Sequence, residues 1–362
     1  MNGIAPTAPA TPVKASETRP PATTSESPGP RSADSPSCTA TPAVTARTVH
    51  SSATTSATTW RAIRSGRSAY QRIGPVYRGR KPVVPAARPC SAGRVDRSLS
   101  LNRASWDDRA PLHAQSPDYG VDALVADPAR LSGVVRFDAD RLGPVAGLRV
   151  VHLQCHIGTD TLSLHRLGAR VTGLDFSPAS LEQARALAAR AGADIDYVES
   201  DVLRADEVLP HHGFDVVYTG IGALCWLPSV TRWAAVVARL LAPGGWLFVR
   251  DMHPFLGTLD EHLAVRHPWF ETTEPLEFDD DSSYVATARP LTATVTHEWS
   301  HGLGEIVTAL LDQGLTLTGL TEHRTVPWEA LPGRMAEDDD GEWHVTDGLP
   351  DVPLSFTVQA TR

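Results

Sequence analysis

The stretch "RVVHLQCHIGTDTLSLHRLGARVTGLDFSPASLEQARALAARA", residues 149–191, decides the fold. It opens on a short β-branched run, Arg149 to Leu153, breaks at Gly158, and continues as a helical pattern from Thr159 to Leu167. A second short run, Ala169 to Leu174, ends in Asp175. Ser177 and Pro178 then give an N-cap with proline at the first helical position, and Leu181, Ala184, Ala188 and Ala191 fall at helical spacing. Strand, helix, strand, helix in this order is a right-handed βαβ unit of a parallel sheet covered on both faces.

The same alternation continues toward the C-terminus. Strands are predicted at Ile195 to Glu199, Phe214 to Thr219 and Trp246 to Arg250, with a helix at Val230 to Leu241 that Pro243, Gly244 and Gly245 terminate. After about residue 255 the pattern becomes irregular and rich in His, Trp and acid. Regular structure returns as a helix at Gly304 to Leu311 and strands at Leu315 to Glu322 and Leu354 to Ala360. The expectation is an α/β fold with a doubly wound, mostly parallel seven-stranded Rossmann-like sheet. It assigns residues 146–362 to the sheet domain, with an insertion at about 255–300, and residues 99–145 to N-terminal lid helices.

Residues 1–98 read differently. The chain has 362 residues, 41% of them hydrophobic, and a formal net charge of −9. Residues 1–100 hold 14 Lys+Arg, 4 Asp+Glu and 13 of the 29 prolines, so they carry +10 and the remainder −19. Together with Ser/Thr/Ala runs such as Ser51 to Thr59, this composition cannot offset the entropy of ordering a backbone. The segment is expected to be a disordered extension. A start-site artefact, with a non-Met start near Val95, is the alternative, and a targeting or nucleic-acid-binding tail a third reading.

No apolar run approaches the ~20 residues that span a bilayer, and no secretory hydrophobic region stands at the N-terminus. Cys38, Cys90, Cys155 and Cys225 form no CxxC or CxxH pattern, which argues against a disulfide framework or a zinc site and fits a reducing cytoplasm. The acidic runs Asp279 to Asp281 and Glu337 to Asp340 read as solvated loops rather than metal ligands. An acidic folded part is also a poor match for nucleic acid. A small molecule is the expected partner; oligomeric state is not encoded.

In a doubly wound sheet, ligands bind beyond the carboxyl ends of the strands where strand order reverses. Gly158 gives the first loop room for close approach. Asp175, seventeen positions on, is placed to accept hydrogen bonds from ribose hydroxyls, and Asp201, after the third strand, to meet an adenine edge. A nicotinamide dehydrogenase would place G-x-G-x-x-G in the first loop to seat pyrophosphate on a helix N-terminus; that pattern is missing, so this reading is minor.

The segments "HLQCHIGTDTLSLHRLGARVTGLDFSPASLEQA", "FDVVYTGIGALCWLPSVTRWAAVVARLLAPGGWLFVRDMHPF", "WDDRAPLH" and "EWSHGLGEIVTALLDQGL" together resemble the class I S-adenosylmethionine-dependent methyltransferases, in particular a bacterial group with an LQCH motif. The resemblance covers roughly residues 100–362. It implies S-adenosylmethionine as cofactor, with Gln154, Cys155, His156 and Gly158 lining its methionine part, Asp175 and Phe176 its ribose and adenine, and Asp201 and Val202 the adenine. Thr219, Gly220 and Ile221 would form the floor beneath the methyl group. The departure from the wider superfamily is that His152, Gln154 and His156 stand where an acid and two glycines are common.

Methyl transfer to a neutral hydroxyl or thiol also requires a proton to be removed. His253, just after the fifth strand, is the first candidate base, followed by His301 and His113. Each has a structural alternative: a turn for His253, a helix cap with Glu305 for His301, lid ordering through Asp107 or Asp108 for His113. Trp106, Trp226 and Trp299 are candidates for an apolar pocket wall. The loop Gly220 to Trp226 lacks the Asn/Asp-Pro-Pro-aromatic tetrad that holds an amino group, so a small organic acceptor is expected. The alternative function is a binding or regulatory protein that keeps the fold and the cofactor site without turnover.

Overall fold

The structure, a computed structural model, describes residues 91–260, 263–346 and 351–362, with the side chains of 91–96 left aside. The reading of residues 1–90 as disordered lies outside the described residues. The expected boundary at 98/99 falls inside a helix, α1 (Ser91–Gln115).

The seven expected strands are β1 (Arg149–Leu153), β2 (Arg170–Asp175), β3 (Asp196–Glu199), β4 (Phe214–Thr219), β5 (Leu241–Met252), β6 (Thr316–His323) and β7 (Ser355–Thr361). They form one sheet in the order β3-β2-β1-β4-β5-β7-β6. The first five run parallel, while β7 pairs antiparallel with both β5 and β6. Val150 pairs with Val171 of β2 on one side and Val216 of β4 on the other, so strand order reverses about β1.

β5 is longer than predicted. Leu241 pairs with Phe214, the register then shifts, and Trp246 resumes opposite Val216. Gly244 holds φ +78°, and a Cβ on Gly245 would meet the carbonyl oxygen of Asp215 at 2.8 Å, so the glycines shape an irregularity inside a strand rather than a loop before it.

Neighbouring residues along the strands bury into opposite faces, as period-two alternation requires. Val151, Leu153, Val217 and Val249 pack with Trp233, Val237 and Leu240 of α6 (Val230–Leu240) and with Ile306 and Leu310 of α7 (Leu303–Asp312). Val150, Val216, Tyr218 and Phe248 pack on the other face with Val135 and Leu142 of α3 (Gly133–Leu142) and Leu164 of α4 (Thr159–Arg166). α5 (Pro178–Ala191) starts where predicted: Ser177 Oγ accepts from the Ser180 amide at 3.0 Å, and Gly192 closes the helix at φ +66°. Ala110 of α1 and Val121 and Leu124 of α2 (Val121–Ala126) share a cluster with Leu187 of α5 and Ile157.

The irregular insertion contains a hairpin, residues 276–279 against 295–298, held to α1. Asn102 donates to the His297 carbonyl and accepts from the His297 amide, both at 2.8 Å, and Ser98 Oγ lies 2.7 Å from His297 Nδ1. Among the described residues no helix is long and apolar enough to cross a membrane.

Candidate active site

The loop between β1 and α4 keeps a glycine-like backbone without the glycines. Gln154 and His156 sit at φ +57° and +48°, left-handed conformations that cost a non-glycine residue on the order of 1–3 kcal/mol each. Two bonds hold them there: the His156 amide donates to Asp175 Oδ2 at 2.8 Å, and Gln154 Nε2 donates to the Ala223 carbonyl at 3.0 Å. Gln154 Oε1 is buried and has no partner.

Gly158 makes room for protein rather than ligand. A Cβ there would meet Ala184 Cβ and Tyr197 Oη, both at 2.8 Å, so its bare backbone lets α5 pack against the loop. Thr219 likewise turns away: it is fully buried at the end of β4 and does not line the cavity described below, whereas Gly220 and Ile221 do.

The loop ends, α1, the insertion and the segment after β6 enclose a cavity of about 1350 Å³. Asp175, Phe176, Asp201, Val202, Gln154, Cys155 and His156 line it, and so do Trp106, Trp226 and Trp299. Trp106 meets Trp226 edge-on at 5.2 Å between centroids and His156 at 4.9 Å. Trp226 Nε1 donates to the Gly222 carbonyl at 2.9 Å, and the Trp299 amide to the Cys225 carbonyl at 2.8 Å. Trp106 and Trp226 therefore form one aromatic wall, and Trp299 lines the same cavity, joined to the Trp226 loop through its backbone. Tyr119, Tyr284 and Trp328 extend the wall, with the two tyrosine hydroxyls hydrogen-bonded to each other.

Asp175 also accepts from the Ser177 amide at 2.9 Å. Burial pushes its carboxyl up to about 6 even though backbone donors favour the carboxylate. Asp201 accepts from the Leu203 amide at 3.0 Å and so caps the turn after β3 while lining the cavity. Burial raises the Cys155 thiol well above its ordinary range, which leaves it a protonated packing group.

Two acids of this site were not recognised in the sequence. Asp160, in the first turn of α4, faces the cavity beside Gly220: its Oδ2 and His152 Nε2 each lie 3.4 Å from where a Gly220 Cβ would stand. His152, the neighbouring residue at the end of β1, is buried, bonds Thr161 Oγ1 at 2.9 Å through Nδ1, and is pushed down to about 3 by burial, hence neutral. The negative charge at this corner thus comes from a helix instead of the strand end. The signal was the acid two residues after Gly158, but only the register of α4 reveals which way it faces. Asp251 at the end of β5 accepts from the amides of Gly222, Leu224 and Met252 at 2.6, 2.8 and 2.7 Å and shapes the loop that carries Trp226.

The three candidate bases separate. His253 lies outside the large cavity: its Nδ1 accepts from the Phe255 amide at 3.2 Å and its Nε2 lies 2.9 Å from Glu322 Oε1, so it caps a turn and pairs at the surface. His301 also lies outside it, with Nε2 2.8 Å from the Leu227 carbonyl and Nδ1 2.9 Å from Glu271. Glu305 meets the Gly302 amide at 2.7 Å rather than His301. His113 is fully buried, but its two neighbours, His156 at 2.9 Å and Ser283 at 2.7 Å, both line the cavity. Asp107 and Asp108 serve other partners: Asp107 bonds Ser177 Oγ at 2.6 Å, and Asp108 bonds Arg289 at 2.5 Å and the Ala293 amide at 3.2 Å. Among the described residues no group of His, Cys, Asp and Glu is arranged to hold a metal ion.

A sequence profile of the family described as "Methyltransferase domain" matches residues 150–245, the span from β1 into β5. A ubiquinone biosynthesis O-methyltransferase from Methylobacterium sp. (strain 4-46) is 32% identical over 184 residues, 47% of this chain and 67% of the relative. The chain belongs to the class I S-adenosylmethionine-dependent methyltransferases. S-adenosylmethionine is accordingly its cofactor. A ubiquinone biosynthesis O-methyltransferase from Xanthomonas oryzae pv. oryzae (strain PXO99A) is 31% identical over 172 residues, 47% of this chain and 64% of the relative. The one from Nitrosococcus oceani is 38% identical over 109 residues, 30% of this chain and 45% of the relative. The methyltransferase thus spans about half to two thirds of these curated relatives. A solved S-adenosylmethionine-dependent methyltransferase from Mesorhizobium loti has 24% sequence identity and a TM-score of 0.42, covering 64% of this chain and 98% of that one.

Proposed function

We propose that this methyltransferase methylates a hydroxyl group of a small aromatic molecule held in the cavity at the ends of β1 and β4. The single observation that carries the reading is that Asp175, the left-handed Gln154–His156 loop and the tryptophan wall all border one cavity. Acids and the first loop crowd the strand ends of the cavity, and Trp106, Trp226, Trp299, Trp328, Tyr119 and Tyr284 line it together with charged groups such as Arg109, Arg136, Glu298 and Glu329.

The donor set fits adenosylmethionine. Asp175 keeps lone pairs beyond its two loop bonds for ribose hydroxyls, and Phe176, Asp201 and Val202 border the adenine side. Gln154 has an unpartnered carbonyl oxygen, and Asp160 supplies a carboxylate for the ammonium of the methionine end. When bound, the cofactor supplies a sulfonium methyl group already activated for transfer. The protein's tasks are then to align the acceptor, exclude water and take up its proton. Aromatic walls suit a flat acceptor, and the O-methyltransferase relatives favour oxygen as the receiving atom.

Calorimetry of the full chain with S-adenosylhomocysteine tests the cofactor site, and methyl release from adenosylmethionine with catechol, compared with aniline, tests the acceptor class. Binding with transfer to catechol is expected. No binding overturns the whole reading. Binding without transfer to either probe favours the regulatory alternative, whose supporting observation is the strained loop with glutamine and histidine in place of glycines.

A further inference from the structure

One hydrogen-bonded chain crosses four separate segments at the cavity wall. Ser180 Oγ of α5 lies 3.1 Å from His156 Nδ1, His156 Nε2 lies 2.9 Å from His113 Nδ1, and His113 Nε2 lies 2.7 Å from Ser283 Oγ of the insertion. The successive partners are 24, 43 and 170 residues apart in sequence, so tertiary folding alone assembles them. Ser180 and His113 are fully buried, while His156 and Ser283 border the cavity.

Hydrogen-bond counting allows two arrangements. In the first, Ser283 donates to His113 Nε2, His113 Nδ1–H donates to His156 Nε2, and His156 Nδ1–H donates to Ser180. In the second, every bond is reversed and both rings carry their proton on Nε2. Either arrangement satisfies all four groups, and a mixed one leaves two lone pairs or two protons facing each other. Burial, with the Arg109 guanidinium nearby, drives both imidazoles far below their ordinary range, so both are neutral at neutral pH. Trp106, Tyr119 and Tyr284 complete the surroundings of the pair.

We infer that Ser283, His113, His156 and Ser180 form a two-state proton wire that takes the proton of the acceptor hydroxyl at Ser283, an inference that rests on the methyl-transfer reading. Only the first arrangement is competent, because only there does His113 Nε2 carry the lone pair that can take the Ser283 proton. The acceptor's O–H bond breaks with its electron pair staying on oxygen for the new O–C bond. Its proton passes to Ser283 Oγ as Ser283's own proton moves to His113 Nε2. The histidine pair then carries one positive charge, replacing the one lost from the donor; burial and Arg109 disfavour that form, so the pair gives the proton up to cavity water once the product leaves. Ser283 is the catalytic residue; His113 acts through it, and His156 and Ser180 are positioning residues that hold His113 in its competent tautomer.

The test is nitrogen-15 NMR of the full chain labelled in histidine, with His113→Gln and His156→Gln used for assignment. The expected result is that both rings carry their proton on the like-named nitrogen. Ser180→Ala should move both rings toward Nε2–H, and Ser283→Ala should move both toward Nδ1–H, since an orphaned buried N–H is worse tolerated than an orphaned lone pair. Ser283→Thr, which keeps the hydroxyl, should retain the wild-type pattern. Opposite tautomers in the two rings of the wild type, or one ring moving alone, overturns the wire even if Ser180→Ala fails to fold. The NMR result needs no cofactor, so loss of adenosylhomocysteine binding would sink the methyl-transfer reading separately.

Discussion

The His156 amide donates to Asp175 Oδ2 over 2.8 Å, which fastens the loop after β1 to the carboxylate that ends β2. One side chain therefore shapes the loop and offers its remaining lone pairs to a ribose. Burial raises its carboxyl to about 6, so the ionised form that accepts best prevails only above that pH. Adenosylhomocysteine affinity should rise with pH up to about 6 and level off. Asp175→Asn should flatten this profile and weaken binding by about 10- to 100-fold, the equivalent of ~1.5–3 kcal/mol for hydrogen bonds to a charged group. Calorimetry between about pH 5 and 8 measures both; unchanged affinity in the variant would remove Asp175 from the ribose site. Its folded pKa lies above its unfolded one, so the group's own contribution to stability falls as pH rises from the ordinary carboxylate range to about 6.

Asp160 is tested by ligand subtraction. Asp160→Asn keeps the size and removes the charge, so it should weaken S-adenosylhomocysteine about tenfold, in line with a charge-assisted hydrogen bond. Methylthioadenosine, which has no amino-acid end, should bind the variant and the wild type within about twofold. Equal losses for both ligands would place Asp160 elsewhere.

These two acids mark how far the sequence could be read. Asp175 was legible because a strand ending in an acid fixes where the side chain goes. Asp160 was not, because its direction depends on the helix register relative to Gly220. The seven strands were legible from alternation and turn residues, whereas the extension of β5 back to Leu241 depends on pairing with Phe214, a partner no local pattern announces. Trp106, Trp226 and Trp299, three distant positions in the sequence, all line the one cavity. The histidines were harder: His113, His156 and Ser283 are joined only by tertiary contacts, and the immediate sequence of His253 and His301 hides the Glu322 and Glu271 partners that occupy them.

Two glycines with nearly the same backbone angle should respond differently to alanine. Gly158 at φ +81° would push a Cβ to 2.8 Å from Ala184 and Tyr197, while Gly222 at φ +84° has nothing within 4 Å. Gly222→Ala should cost only the left-handed conformation, about 1–2 kcal/mol. Gly158→Ala adds overpacking between α5 and the loop, about 1–3 kcal/mol more, for a total of about 2–5 kcal/mol. Urea denaturation of both variants decides; similar losses would mean that α5 yields without penalty.

His152 provides a pH-dependent test of burial. Its folded pKa is depressed to about 3 from an unfolded value near 6.5, so its contribution to stability is fully present above 6.5 and is lost as pH falls toward 3. A neutral replacement removes that proton linkage. His152→Gln should be less stable than the wild type at pH 7, where the bond to Thr161 and the edge-on contact with Tyr218 are weakened. The difference should shrink on acidification, by up to about 1.4 kcal/mol per pH unit below 6.5. Comparing the two proteins isolates this group from Asp138 and Asp175, whose raised pKa values act in the opposite direction and are common to both. Denaturant midpoints at about pH 7.5, 6 and 5 give the slope. A constant difference across that range would mean that the folded and unfolded pKa values of His152 coincide, as they do for a hydrated imidazole, and that burial does not hold this ring neutral beside Asp160.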